Sequence, residues 1–343
     1  MNAPLPAGKL PPDLLAELFR TLGNDPSVII GPGIGRDAAA VRVDQQMLVF
    51  KTDPITFATD EIGWYAAHVN ANDLACLGAA PRWALATLLL PEGATTSELV
   101  MQVFGDLTEG CDIVGATIIG GHSEITSGLQ RPILALTMIG ITDDDRIIDP
   151  RRARPGDAVL LARGIAIEGT ALIARELPDA LIPHLASDVV ERCQRFLHDP
   201  GISIVPAANV LREALGPRIH ALHDPTEGGL ATGLRELAVA AGCGMIIDRQ
   251  RVTVYPETAL ICDVLGLDPL GLIASGALLA VVAPDAAADG LDALRRAGIP
   301  AEQIGRLVPD PGTVTMHDGD AVHPLPTFAV DEIARLFQSD DGH

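Results

Sequence analysis

Residues 61–91 read EIGWYAAHVNANDLACLGAAPRWALATLLLP and place a helix, a turn and a strand in one segment. The first half predicts a helix over 61–77 that stops at Gly78, and RWALATLLL predicts a strand. Asn70 and Asp73 lie three positions apart in that helix, so their side chains share one face. Asn and Asp are poor residues inside helices because their side chains compete for backbone hydrogen bonds. This apolar helix therefore predicts polar groups that are kept for function.

The segments on either side of this helix predict further strands and a second helix. AAAVRV and QQMLVFKTD predict two strands before it, and a second helix and two further strands follow RWALATLLL. Strands and helices alternate without the strict repeat of a doubly wound sheet, which favours an α+β fold. The segment IIDPRRARPGDAV is rich in Pro and Arg and indicates a passage between domains. We therefore predict an N-terminal domain over 1–149 and a C-terminal α/β domain over 150–343.

The overall charge narrows the classes of ligand. The chain has 343 residues and a formal net charge of −21, which disfavours nucleic-acid binding. The two lysines are Lys9 and Lys51, so other cationic roles fall to Arg or His. Five cysteines without a C-x-x-C pair, and no signal-peptide or membrane-spanning pattern, predict a soluble cytoplasmic protein.

Polar clusters in the first half supply oxygen and nitrogen ligands. Asp37 follows Gly35 in a glycine- and alanine-rich turn, and Lys51 and Asp53 flank Thr52 on one strand. Residues two apart on a strand share a face, so this lysine is expected beside a carboxylate. Mg²⁺ favours a few carboxylates together with substrate phosphates. With no P-loop in the sequence, Asp37, Asp53 and Asp73 predict a nucleotide held through magnesium.

Two further clusters follow predicted strands. The first is Gly120-Gly121-His122-Ser123-Glu124, in which a double glycine precedes His122 and Glu124. The side chains of His122 and Glu124 are suited to metal binding or proton transfer. HDPTEGGL at 223–230 precedes a helix whose first N–H groups are expected to bind an anion. A similar arrangement recurs from Arg163 to Thr170. Each cluster also has an ordinary structural interpretation as a tight turn or a helix cap.

The order of these motifs resembles the PurM-like, AIR synthase related superfamily of ATP-dependent enzymes. The motifs here are GIGRDAA at 33–39, TD at 52–53, NDLACLGAAP at 72–81, GGHS at 120–123 and DPTEGGL at 224–230. Within the superfamily, DPTEGGLA at 224–231 and Ser187-Asp188 are most similar to the branch of the hydrogenase maturation factor HypE. The resemblance implies a two-domain α+β fold, with ATP and Mg²⁺ as cofactors. It also implies a homodimer that pairs N-terminal strands between subunits, which we expect to be VRV and MLVFKTD because they would leave exposed edges in a monomer.

Site roles are implied by the same resemblance. The implied metal ligands are Asp37, Asp53 and Asp73; the implied cofactor-binding residues are Gly35, Asp37, Lys51, Thr52, Asp53, Asn70, Asp73, Gly120 and Gly121; the implied substrate-binding residues are Asp224, Thr226, Gly228 and Gly229. His122 stands where the family has an acid, so His122 and Glu124 are expected to replace it as catalytic residues. On an extended segment these two side chains share a face.

The resemblance leaves several functions open. The first is activation of an amide or acid oxygen by Mg²⁺-dependent phosphoryl transfer to a small-molecule or carbamoyl-type acceptor. The second is AIR-synthase-type ring closure or a small-molecule kinase of the thiamine-phosphate type, although Arg36 stands where kinases often have a second Asp. The third is a non-catalytic ATP-binding maturation or assembly factor with a protein partner. HypE enzymes carry their carbamoyl group on a C-terminal cysteine, whereas the last cysteine here is Cys262, so an enzyme-bound thiocyanate is not expected.

Overall fold

The computed structural model describes residues 9–143 and 146–337, which form two compact units. The N-terminal unit comprises residues 26–31 and 37–147, and the C-terminal unit comprises the described parts of 1–25, 32–36 and 148–343. The main division lies two residues before the predicted boundary at 149/150. The two units are not consecutive along the chain, as two predicted domains would be, because residues 9–25 and 32–36 belong to the C-terminal unit. The final residues, 338–343, lie outside the described part of the chain.

The N-terminal unit is a six-stranded sheet with two long helices. The strand order is β1-β2-β3-β6-β4-β5, and β4 and β5 are the parallel pair. The elements are β1 (Val28–Ile30), β2 (Ala39–Val43), β3 (Gln46–Ile55), α2 (Ile62–Cys76), β4 (Ala80–Pro91), α3 (Ser97–Val114), β5 (Thr117–Thr126) and β6 (Ile133–Thr142), with α1 (Pro12–Phe19) preceding them in the other unit.

Helix α2 is packed between the sheet and α3. It contacts β3 and β6 on one side and α3 on the other, and its residues are almost all buried. Small residues allow this close approach: a Cβ on Gly63 would lie 2.3 Å from the backbone nitrogen of Leu107. Along β6 every second residue is buried, as expected for a strand with one face on a core. The predicted helix over 61–77 is therefore present, and it is a central element of this unit.

The sheet edges differ from those that the sequence predicts. The predicted strands VRV and MLVFKTD do not form the edges, because β1 covers β2 and β6 pairs with β3 along nine residue positions. The edges of this sheet are β1 and β5. The cluster at 120–124 does not follow a strand but lies within β5, nearly all of which is exposed.

The C-terminal unit is built on a seven-stranded sheet of order β13-β12-β9-β11-β7-β10-β8. Its strands are β7 (Ala158–Ala162), β8 (Ile219–His223), β9 (Gly244–Asp248), β10 (Leu278–Val282), β11 (Ala301–Val308), β12 (Val314–Asp318) and β13 (Ala321–Pro324). Its helices are α4 (Ile167–Glu176), α5 (Pro178–Leu181), α6 (Ser187–Arg195), α7 (Val205–Leu215), α8 (Gly229–Ala241), α9 (Pro256–Leu265), α10 (Ala287–Arg296) and α11 (Ala334–Phe337). Leu230, Leu234 and Leu237 of α8 join the strand side chains in one buried core.

The ends of three strands lie side by side at one end of this sheet. Both β7 and β8 pair antiparallel with β10, so β7 and β8 run in the same direction. The loops that leave β7 and β8 therefore lie beside the loop that enters β10. These loops carry the start of α4, residues 224–228 and residues 273–277. None of the helices in the described ranges combines the length and the hydrophobicity that a membrane crossing requires.

Candidate functional site

A lysine bridges two carboxylates in the N-terminal unit. The ammonium of Lys51, on β3, lies 3.2 Å from Oδ2 of Asp53 and 3.1 Å from Oδ2 of Asp73, on α2. The predicted proximity of Lys51 and Asp53 on one strand face is confirmed. Asp73 is buried and Asp53 is half-buried, so Lys51 links a surface carboxylate to an internal one.

Asn70 fixes the helix against the strand. Its side-chain Oδ1 accepts a 3.0 Å hydrogen bond from the backbone N–H of Asp53, and its Nδ2 donates to the carbonyl of Ala66 at 2.9 Å. Asn70 is fully buried, so these bonds satisfy an amide that would otherwise be costly to bury. On the neighbouring strand β6, the Thr137 hydroxyl donates to Oγ1 of Thr52 at 3.0 Å. The polar residues inside α2 therefore hold the Lys51 cluster in place.

The charges of this cluster suit a divalent cation. Burial lowers the pKa of Lys51, but Asp73, Asp53 and Asp37 raise it by more, so its pKa lies above the ordinary range. Lys51 is therefore a permanent cation among three carboxylates, and the set keeps an excess of negative charge. Hard oxygen ligands with excess negative charge are what Mg²⁺ requires, and magnesium usually completes its coordination with water and phosphate. The residues present fit the metal that the sequence predicts.

The predicted glycines have structural roles. Gly35 has φ +71°, and a Cβ there would lie 2.1 Å from the carbonyl oxygen of Glu236 on α8. Gly35 belongs to the C-terminal unit, whereas Asp37 belongs to the N-terminal one. A Cβ on Gly121 would lie 1.9 Å from the carbonyl oxygen of Ala86 on β4, so close strand packing requires glycine there. Cofactor binding by Gly35, Gly120 and Gly121 stays a prediction.

His122 and Glu124 form an exposed pair on β5. Nε2 of His122 lies 3.0 Å from Oε2 of Glu124, which agrees with the shared face expected for residues two apart on a strand. Both side chains are at least half exposed, at 66% and 50%. Their catalytic roles stay a prediction.

The predicted anion site at the start of α8 already holds a carboxylate of this chain. Oδ2 of Asp331 accepts a 2.6 Å hydrogen bond from the N–H of Gly228, and Oδ1 accepts from the N–H groups of Ile273 and Ile333. The N–H of Gly229 bonds to the carbonyl of Thr226. Burial raises the pKa of Asp331 to about 6, even though these three N–H groups act in the opposite direction. The expectation of free N–H groups is therefore wrong at Gly228 and Gly229, because Asp331 and the local turn occupy them.

The other lysine of the chain, Lys9, contacts the loop that precedes α8. Nζ of Lys9 lies 3.2 Å from Oγ1 of Thr226 and 3.4 Å from Oε1 of Glu236. Nε2 of the buried His223 lies 3.3 Å from Oε2 of Glu236. Burial raises the pKa of Glu236, but His223 and Lys9 lower it by more, to about 2. His223 and Lys9 thus keep this carboxylate ionised, and the predicted substrate residue Asp224, which follows His223, is buried.

The second predicted anion site, from Arg163 to Thr170, is wrong, because the N–H groups of Glu168, Gly169 and Thr170 are bonded to backbone carbonyls and Glu168 itself is a buried acid at the start of α4. Glu168 is 5% exposed and lies beside the fully buried Ser275 in the loop before β10. Burial raises the pKa of Glu168 to about 7, and a side-chain hydrogen bond with Ser275 opposes this rise. The nearby carboxylates of Asp331, Glu227 and Asp224 raise the pKa further. The signal in the sequence is one acid inside the apolar run GIAIEGTALIA.

Comparisons with known proteins assign this architecture to a family. The family models of the AIR synthase related protein match residues 35–142 for the N-terminal domain and 154–318 for the C-terminal domain. The carbamoyl dehydratase HypE of Rhodobacter capsulatus is 32% identical over 314 residues, which cover 88% of this chain and 86% of that protein.

Solved structures agree with this assignment. A crystal structure of the hydrogenase maturation protein HypE in complex with ATP has 25% identity and a TM-score of 0.70, covering 92% of this chain and 89% of the other. A HypE–HypF complex contains a chain of the same fold, with 22% identity, a TM-score of 0.75, and coverage of 92% and 99%. The predicted two-domain α+β fold is confirmed; the homodimer stays a prediction. The chain therefore belongs to the PurM-like, AIR synthase related superfamily and, within it, to the family of the HypE hydrogenase maturation proteins.

Proposed function

We propose that this protein is an ATP-dependent enzyme of the HypE type, which activates an amide or acid oxygen by Mg²⁺-dependent phosphoryl transfer. A carbonyl oxygen is a poor leaving group until it is phosphorylated, and ATP supplies the phosphoryl group. The observation that carries the proposal is the Lys51 cluster, in which Asp53 and Asp73 lie within 3.2 Å of one ammonium. Relatives named carbamoyl dehydratase and a HypE structure with ATP support it.

In this proposal each residue of the cluster has a distinct task. Asp37, Asp53 and Asp73 hold Mg²⁺, which neutralises phosphate charge when it is bound. Lys51 keeps Asp53 and Asp73 together before the metal binds and offers its ammonium to a phosphate oxygen afterwards. Asn70 holds β3 against α2, so the carboxylates are oriented before the nucleotide arrives. The acceptor is a small molecule or a carbamoyl-type group, and a maturation-factor protein is proposed to present it.

Nucleotide binding tests this function. We expect Asp73→Asn to remove the Mg²⁺ dependence of ATP binding, because it deletes the buried carboxylate of the cluster while the Lys51–Asp53 pair remains. Isothermal titration calorimetry with ATP, with and without Mg²⁺, measures this difference, and Asp37→Asn and Asp53→Asn complete the series. Asp112→Asn, an exposed acid on α3, is the matched control for the loss of one charge.

Two outcomes would contradict the proposal. Unchanged Mg²⁺-dependent binding in all three Asn variants would show that the cluster holds no metal-bound nucleotide. Tight binding of ATP without turnover, in the presence of carbamoyl-type acceptors and a partner maturation factor, would instead favour a non-catalytic ATP-binding factor. Phosphate release measured alongside calorimetry separates the two.

A further inference from the structure

We propose that an open cavity on the C-terminal sheet binds the phosphate or carboxylate group of a small organic anion. The cavity has a volume of about 490 Å³ and lies over β9, β11 and β12. Its polar lining consists of Asp248, Gln250, Arg251, Gln303, Arg306 and His317. Strand β9 lies four positions from β8 in the sheet, about 19 Å at the usual strand spacing, so the cavity is separate from the loop at 224–228.

The cavity lies on the face of the sheet opposite to the core that α8 covers. Ile247 of β9 belongs to that core, so Ile246 and Asp248, which flank it in the strand, point to the other face. On this other face α10 packs over β7, where a Cβ on Gly290 would lie 3.4 Å from Cδ1 of Leu160. The cavity occupies the neighbouring strands, and its volume is in the range of small-molecule sites.

A β-bulge in β11 brings two of the lining residues to the same face. Leu160 of β7 pairs with Gln303 of β11. Two residues earlier on β7, Ala158 pairs with Arg306, which is three residues after Gln303. Without the extra residue in β11, these two side chains would point to opposite faces. The bulge requires glycine, since a Cβ on Gly305 would lie 2.2 Å from a backbone carbonyl oxygen of β9. The local backbone therefore directs Arg306 to the cavity.

The charge of the lining is opposite to that of the whole protein. Nε of Arg251 lies 3.2 Å from Oδ2 of Asp248, which makes one ion pair. The side chains of Arg306 and His317 have neither a hydrogen bond nor an ion pair within residues 9–143 and 146–337. The chain has 45 acidic residues against 24 Lys and Arg, and still Arg306 has no carboxylate partner there. Two guanidinium groups against one carboxylate give the lining one positive charge in excess.

These groups suit one oxyanion together with a polar remainder. A guanidinium is a planar fork that binds two oxygens of a phosphate or carboxylate at once. Arg306 is the primary contact because its guanidinium is unpaired, and Arg251 adds a second positive charge. The amides of Gln250 and Gln303 offer donors and acceptors to the rest of the ligand. Because the net charge of −21 repels anions at long range, their binding needs such a local arrangement.

Inorganic phosphate and succinate test the site as a tetrahedral and a planar oxyanion. We expect both to bind wild-type protein at pH 7 with a dissociation constant of about 1 mM in isothermal titration calorimetry at constant ionic strength. The probe that binds more tightly identifies the ligand as a phosphate or a carboxylate. In protein labelled with ¹⁵N-arginine, the Nε–H signal that is missing in Arg306→Gln belongs to Arg306. This signal should shift as either probe is added.

Substitutions of single arginines locate the binding. Arg306→Gln should weaken both probes about tenfold, because it removes the unpaired guanidinium. Arg251→Gln should weaken them less, since its guanidinium is already paired with Asp248. Arg195→Gln, which removes an exposed arginine from α6, controls for net charge and should change neither constant. Arg306 is exposed as well, so circular dichroism should show the same fold in all variants.

Three results would overturn the inference. They are wild-type protein that binds neither probe, an Arg306→Gln variant that keeps the wild-type affinity for both, and an Arg306 signal that does not shift during titration. In the last two cases the anion binds elsewhere, for example at the Lys51 cluster. The titrations contain no nucleotide, so failure of the proposed function would leave their result unaffected.

Discussion

Glu168 shows how burial changes the chemistry of one side chain. Its pKa rises from the ordinary 4.5 to about 7 because the carboxyl is out of water and faces other acids. The folded state therefore binds the proton more tightly than the unfolded state does. Stability from this group is complete below about pH 4.5 and is lost as the pH rises through 7. A buried acid of this kind therefore destabilises the folded protein once the pH exceeds the pKa of its carboxyl group.

This titration predicts a pH-dependent stability difference. Relative to Glu168→Gln, the free energy of unfolding of the wild-type protein should fall between pH 5 and pH 8, by up to about 3 kcal/mol. Asp331 titrates in both proteins, so only its interaction with Glu168 contributes to the difference. Urea denaturation followed by circular dichroism at several pH values gives the comparison, with Glu191→Gln, an exposed acid on α6, as the control. Parallel stability profiles for the two proteins would show that Glu168 has an ordinary pKa.

At the scale of one element, β5 is the least protected strand of the N-terminal unit. It forms a sheet edge ten residues long, and Ile119 and Ile125 on it are 55% and 59% exposed. An edge of this length offers unpaired N–H and C=O groups to another chain. We therefore place the predicted homodimer contact at β5, in place of the strands VRV and MLVFKTD.

Charged substitutions on β5 test whether this strand forms the homodimer interface. We expect wild-type protein to be a dimer in multi-angle light scattering at micromolar concentration, and Ile119→Lys/Ile125→Lys to be a folded monomer, because lysines on an edge oppose strand pairing. Val239→Lys, at an equally exposed apolar position on α8, should remain dimeric. A monomeric wild-type protein, or a dimeric double variant, would argue against β5 as the interface.

At the scale of the whole molecule, none of the five cysteines offers an exposed thiol. All five are free and buried. Burial raises the thiol pKa of Cys111 and Cys193 to about 11 and that of Cys262 to about 12. The thiolate is the reactive form, so these thiols are poor nucleophiles at neutral pH.

We therefore expect none of the cysteines of this chain to carry the carbamoyl group. Mass spectrometry of native protein, after incubation with ATP and a carbamoyl donor system, should show no carbamoylated cysteine. Iodoacetamide should label the native thiols slowly and all five after unfolding, which controls for their chemical competence. A carbamoylated cysteine that then loses one water would refute this expectation and assign a thiocyanate intermediate to the chain.

The sequence by itself determined the features that depend on local periodicity. The helix around Asn70 and Asp73, the shared face of Lys51 and Asp53, and the strand–turn–helix at 219–241 all follow from spacing and turn residues. Family membership also followed from the sequence, because the motif order is preserved along most of the chain.

Only the tertiary structure decided which strands are edges and which acids meet. β1 and β6 cover the two strands that were expected to be edges, and Asp331 and Thr226 accept from the N–H groups of Gly228 and Gly229 that were expected to be free. Glu168 and Ser275 are far apart along the chain, and they meet because β7 and β10 are paired in one sheet. Strand pairing joins distant segments, and no local pattern encodes the partner. The charge and hydrogen bonding of this cluster therefore arise only on folding.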